Sequence, residues 1–213
     1  MQNMRLDHVS YAAEPDGLAA TAARLSEAIG VECVDGGVHP RFGTRNIVLP
    51  LRGAHYVEVV EVLDHPVADK VPFGQAVRAR SAAGGGWLAW VVAVHDMAAV
   101  EVRLGRSCVP GNRRLPDGTE LHWNQLGVTG LMADPQLPFF VTWLEGTAPH
   151  PSRSGPTDVS LVGLQIAGDR ARVVDWLGPS PSVEDVDVDW VAPHGTPGLL
   201  SVTFASPSGT ITV

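Results

Sequence analysis

Gly36-Gly37-Val38-His39-Pro40-Arg41-Phe42-Gly43-Thr44-Arg45-Asn46, running on into His55-Tyr56-Val57-Glu58-Val59-Val60-Glu61, is the stretch on which the reading of this chain turns. Its glycines and proline mark Gly36 to Gly43 as a tightly specified loop rather than a linker. Side chains able to bind something crowd into it: His39, Arg41, Arg45 and Asn46. The strand that follows carries an acid, Glu58, among apolar neighbours. A polar loop feeding a strand with an embedded carboxylate suits a pocket, and it also suits an ordinary hairpin.

Outward from that stretch, a sentence repeats. Leu6 to Ala12 reads as a strand, Asp16 stands where an N-cap belongs, and Leu18, Ala22, Leu25 and Ile29 make one helical stripe before Gly30. Trp87 to Val94 is a second strand, with Asp96, a helix through Val100 and Leu104, and Gly105. Leu161 to Ala167 is a third, with Asp169, a helix through Val173 and Leu177, and Gly178. Strand-like runs follow each helix: 46–51 and 55–62, then 120–126 and 139–145, then 186–191, 199–205 and 210–213. The economical description is an α+β chain of repeated βαβββ modules over about 5–63, 86–146 and 159–213, in a single domain 1–213. Ser81 to Gly86 reads as a flexible joint, and Pro110 to Gly118 and Thr147 to Thr157 read as loops.

Composition narrows the function classes. The 213 residues are 45% hydrophobic and 18% charged, which is the balance of a compact globular chain. A net charge of −8 argues against nucleic acid and anionic membranes as partners. No apolar run approaches a bilayer span, and the N-terminus lacks the apolar core of a leader. Two cysteines, Cys33 and Cys108, make no disulfide framework or zinc-binding pair, so the expectation is a reduced, cytoplasmic protein. Serine-nucleophile, P-loop and dinucleotide-binding patterns are absent.

Strand periodicity orients the candidates. Val9 and Tyr11 share one face of the first strand, and His8 and Ser10 the other. Val57 and Val59 belong with the helix stripe, which leaves Tyr56 and Glu58 facing away from it. If the two strands are neighbours, His8 and Glu58 converge in the hollow of the sheet. Such a pair can ligate a divalent metal, act as a base with its partner, or simply close a polar gap. His39, Arg41, Asn46, Tyr56 and Trp143 complete the candidate binding set. Arg suits a carboxylate, and tryptophan suits an apolar ligand cleft.

Leu6-Asp7-His8-Val9, the run from Gly36 to Asn46, Tyr56-Val57-Glu58, Pro116-Asp117-Gly118-Thr119, Pro138-Phe139-Phe140 with Trp143, and His150-Pro151 together resemble the glyoxalase-like domain of the vicinal-oxygen-chelate superfamily. The resemblance implies curled mixed sheets of βαβββ modules around a cleft for a small organic molecule. It implies metal-assisted lyase, isomerase or dioxygenase chemistry, with His8 and Glu58 as ligands of a divalent Zn, Fe, Ni or Mn, or Glu58 as catalytic base. The second half of the ligand set is missing: the counterparts of His8 fall near Trp90 and Gly163, and the last strand of the second module offers Val141, Thr142 and Glu145. The alternative implied by the same family is a protein that binds or sequesters small molecules without transforming them. A third module without a mate suggests a homodimer.

Overall fold

The computed structural model describes residues 4–144, 148–178, 186–192 and 195–213. Glu145, a reserve ligand in the sequence reading, and His194 lie outside them. The first unit supplies strands β1 (Met4–Ala12), β2 (Val34–His39), β3 (Thr44–Pro50) and β4 (Tyr56–Val62), with helix α1 (Leu18–Ile29) after β1. Helix α2 (Pro72–Ala82) leads into β5 (Gly86–Val94), α3 (Met97–Leu104), β6 (Val109–Arg114), β7 (Glu120–Leu126) and β8 (Phe139–Trp143). The chain ends with β9 (Ser160–Ala167), α4 (Arg170–Leu177), β10 (Asp187–Val191), β11 (Gly198–Ser206) and β12 (Gly209–Thr212).

The first two units close on each other as an eight-stranded barrel in the order β1-β4-β3-β2-β6-β7-β8-β5. In each, the first strand runs parallel to the last, β1 beside β4 and β5 beside β8. One seam is the long antiparallel pairing of β1 with β5; the other is narrow, Val38 against Arg114 between β2 and β6. Gly37 makes the narrow seam possible. Its φ is +90°, and a Cβ there would lie 1.9 Å from the carbonyl oxygen of Arg114. A barrel of eight strands has an interior that side chains almost fill.

Two buried clusters result. Inside the barrel, Val60, Ala89, Val91, Trp123 and Val141 pack with Phe73, Ala76 and Val77 of α2. Outside it, the α1 stripe Leu18, Ala22, Leu25 and Ile29 packs with Val9, Val57 and Val59, as alternation requires. The third unit joins that same outer cluster through Leu161, Ile166, Val202 and Phe204, with Trp90, Val92 and Phe140 of the barrel. Its sheet, ordered β10-β9-β11-β12, therefore finds apolar cover within its own chain. The indole of Trp87 also ties β5 to the chain end, donating to the Val213 carbonyl at 2.9 Å.

Several local readings change. Gly17, not Asp16, is the N-cap of α1, and the Asp16 carboxylate accepts from Arg24 instead. Asp96 and Asp169 do cap, accepting from the amides of Ala99 and Ala171. The supposed joint at 81–86 is the end of α2 and the turn into β5. This helix buries only Phe73, Gly74, Ala76 and Val77, too short a stripe to stand out, although Pro72 in its first turn is a fitting start. Residues 110–114, read as the start of a loop, belong to β6. The third unit repeats the strand–helix opening but not the topology, because β9 runs parallel to β10, the strand immediately after its helix.

Candidate functional site

The barrel encloses a cavity lined by His8, His39, Asn46, Tyr56, Glu58 and Arg113, with walls of Phe42, Phe73, Trp123, Phe139 and Trp143. About 30 Å³ is open to the centre of a water molecule, room for two or three waters with the side chains as they stand.

On β1 the geometry starts with a bulge. Leu6 pairs with Val92 and His8 with Val91, so Asp7 is the extra residue between them. Strict alternation would put Leu6 and His8 on one face. The bulge instead turns Leu6 to the outer core and His8 to the interior, which is the use bulges have beside functional sites. Asp7 is fully buried. Its carboxylate accepts from His8 Nδ1 at 3.0 Å, His150 Nε2 at 3.1 Å and Trp143 Nε1 at 3.2 Å, and pairs with Arg5 at 2.9 Å. Burial alone would raise its pKa; the hydrogen bonds and charges of His150 and His8 outweigh that and hold it well below the usual carboxylate range. An ionised Asp7 requires the proton of His8 on Nδ1, which leaves the Nε2 lone pair for the cavity. Tyr56 stacks on the His8 ring, 4.4 Å between centroids.

Glu58 stands opposite Ser10 in the β1–β4 register. Ser10 Oγ donates to its Oε2 at 2.8 Å, and Asn46 Nδ2 donates to its Oε1 at 2.9 Å. Gly36 is what admits the Asn46 amide, since a Cβ there would lie 2.0 Å from Asn46 Oδ1. Burial pushes Glu58 upward, but the proximity of His39 and His8 and the two donated hydrogen bonds set it below its ordinary value. His39 bonds Thr44 Oγ1 through Nδ1 at 2.9 Å and has Nε2 3.8 Å from Glu58 Oε1. Burial depresses His39 to about 4, so it is neutral at pH 7 and the hydrogen bonds from Ser10 and Asn46 carry the neutral-pH stabilisation of Glu58. The Tyr56 phenol, buried and near Asp7 and Glu58, is held well above its usual value and remains a donor. Gln125 accepts from Trp123 Nε1 at 2.8 Å, which commits its oxygen and frees its NH2 to donate.

The structure thus brings His8, His39, Asn46, Tyr56, Glu58 and Trp143 to one cavity. Arg41 is not among them: it follows Pro40 in the turn between β2 and β3 and is exposed. The buried cation of the cavity is Arg113, on β6. Arg113, Gln125, Phe42 and Phe73 are not singled out from sequence, nor is the Asp7–His150 contact. A signal existed for two of them, because Gly111 and Arg113 on β6 and Trp123 and Gln125 on β7 alternate inward with period two. Trp90, taken as the counterpart of His8, faces outward and donates to the Gln136 carbonyl; Val91 is the inward neighbour of His8 on β5.

A divalent metal fits this donor set poorly. No group of three or more His, Cys, Asp or Glu side chains placed to hold one occurs among the described residues. Both Glu58 oxygens already accept hydrogen bonds, and Arg113 puts a buried positive charge on the same cavity. Catalytic sites of this kind ordinarily supply three protein ligands.

A family model described as a glyoxalase-like domain matches residues 6–180. Among solved structures, a hypothetical protein from Staphylococcus aureus superposes with a TM-score of 0.67 at 13% identity, over 96% of this chain and 92% of that one. Methylmalonyl-CoA epimerase from Mycobacterium tuberculosis gives 0.44 at 17% identity, over 68% and 89%. An epimerase variant from Streptomyces coelicolor, in complex with 2-nitronate-propionyl-CoA, gives 0.44 at 20% identity, over 68% and 98%. The first likeness shows a shared fold, and the other two are too distant to say more. No curated protein matches the chain.

Proposed function

The chain belongs to the glyoxalase-like domain family, and from that premise we propose that its barrel interior binds a small organic molecule and moves a proton on it, with His8 as the base. The observation that carries this is the hydrogen bond from His8 Nδ1 to the buried Asp7, which points a basic lone pair into an enclosed cavity and stands ready to stabilise the imidazolium. A C–H next to a carbonyl gives its proton to Nε2. The oxygen that gains charge is met by neutral donors, the Tyr56 hydroxyl and the Gln125 amide. Return of the proton to the same or the adjacent carbon regenerates His8 and yields exchange or isomerisation.

Glu58, the base implied by the resemblance, has a depressed pKa and two occupied oxygens, so it is the weaker base. We give it the role of fixed negative charge and acceptor. The donor set supports a reaction without a resident divalent ion. We also take residues 1–213 as one domain, since a single cluster joins α1, the barrel and the third sheet. Two free cysteines support a reducing, cytoplasmic setting, and no helix among the described residues is long and apolar enough to cross a membrane. The internal cover of the third sheet removes the unpaired module that suggested a homodimer.

The test is solvent exchange. The protein is incubated in deuterated water with small ketones, hydroxyaldehydes and 2-oxo acids, and loss of the α-proton signal is followed by NMR. Wild type is expected to exchange at least one of them, and His8→Gln to be slower by about 100-fold or more. Binding by thermal shift with no exchange of any compound would instead support the sequestering role. The short supply of space and the satisfied Glu58 are what favour that second reading.

A further inference from the structure

Arg113 is 4% exposed on β6 and lines the cavity. Its Nε is buried with no hydrogen-bond partner, and no hydrogen bond or ion pair to its guanidinium is found among the described residues. The nearby carboxylate of Glu58 acts on it only through its field, and no hydrogen bond or ion pair joins the two. Arg cannot shed its proton to escape such a position, and a buried charge without a partner is strongly unfavourable. Selection of the opposite kind of group from solution resolves both.

We propose that the molecule bound in the barrel carries a carboxylate, which Arg113 grips side-on through Nε–H and one Nη–H. The proposal rests on the reading of the interior as a small-molecule site and adds the chemical class of the ligand. A planar carboxylate matches two parallel donors of the guanidinium fork, and the unpartnered Nε is one of the two atoms that grip requires. A tetrahedral phosphate asks for more donors than one planar guanidinium fork presents, whereas a carboxylate is matched by two. The walls beside Arg113 are Phe42, Trp123 and Phe139, which suit a short carbon skeleton. Glu58 and Asp7 add fixed negative charge to the same surroundings, so a monoanion is favoured over a dianion.

Matched pairs of acid and amide test this: pyruvate with pyruvamide, and benzoate with benzamide, with inorganic phosphate alongside. Trp123 and Trp143 line the cavity, so their fluorescence reports occupancy. The expected result is that an acid binds wild type more tightly than its amide by about 10- to 100-fold, and that Arg113→Lys and Arg113→Gln lose that preference. In wild type the Nε–H resonance of Arg113 should shift on addition of the acid, which keeps the test valid if a variant fails to fold. Amides that bind as well as acids would overturn the carboxylate assignment while leaving the small-molecule site intact. Phosphate as the tighter ligand would overturn it too, as would an acid that binds without moving the Arg113 resonance. Failure of every acid and amide to bind would also count against it, whereas α-proton exchange on a neutral ketone would still support the first reading.

Discussion

Asp7 Oδ2 lies 3.0 Å from Nδ1 of His8, and the same carboxylate takes His150 at 3.1 Å on its other oxygen. One buried acid thereby orients the ring that lines the cavity and pins the segment after β8 against the barrel. Replacement by Asn keeps the shape and removes the charge. Asp7→Asn should cost about 3–5 kcal/mol, since four donors lose their charged acceptor at once. Denaturant unfolding measures it, and a loss below about 1 kcal/mol would mean the network is not formed in solution.

Two glycines with left-handed backbones should respond very differently to alanine. Gly30 ends α1 with φ +77° and nothing within 4 Å of an added Cβ, so Gly30→Ala should cost only about 1–2 kcal/mol of backbone strain. Gly37, with Arg114 carbonyl oxygen 1.9 Å from an added Cβ, must part β2 from β6 to accept one. Gly37→Ala should cost about 3 kcal/mol or more, or prevent folding. Equal effects of the two changes would show that the barrel does not close at that seam.

Acid should weaken the fold through His39. Its pKa falls from 6.5 to about 4 on folding, so between those values the unfolded chain binds the extra proton and stability rises with pH. The loss on going from pH 7 to pH 4 amounts to ~3 kcal/mol at most from this residue. Asp7 and Glu58 add to it at still lower pH, because both carboxylates are depressed in the fold. His39→Asn, which can retain a bond to Thr44, should flatten the melting temperature between pH 6.5 and 4. An unchanged slope in the variant would remove His39 as the cause.

Metal removal should change nothing. With Glu58 held by Ser10 and Asn46, Arg113 on the same cavity and no group of three His, Cys, Asp or Glu placed for a metal among the described residues, treatment with a chelator should leave the melting temperature within about 1 °C. A larger fall, reversed by zinc, iron, nickel or manganese, would restore the family's metal to this cavity.

Much of this architecture is legible in the sequence because alternation and capping are local. The faces of β4, the α1 stripe and the caps at Asp96 and Asp169 need nothing beyond period and residue type. That His8 and Ser10 face away from Val9 and Tyr11 follows from the same alternation, whereas the pairing of β1 with β4 that brings His8 to Glu58 does not. What escaped depends on contacts between distant strands. The bulge at Asp7 shows only in the pairing of β1 with β5, and the Asp7–His150 contact spans 143 residues. Arg113 is distinguished from Arg41 only by the seam that places β6 beside β2 and leaves the turn after Pro40 in solvent. Charge type alone could not choose between those two arginines.

The pairing of Asp7 with His8 sets the chemistry of the site, and the ring nitrogens of His8 report it directly. Long-range 15N–1H correlation spectra at alkaline pH should show the proton on Nδ1 and a bare Nε2, with that preference lost in Asp7→Asn. A His8 ring protonated at Nε2, or one indifferent to Asp7→Asn, would contradict the account.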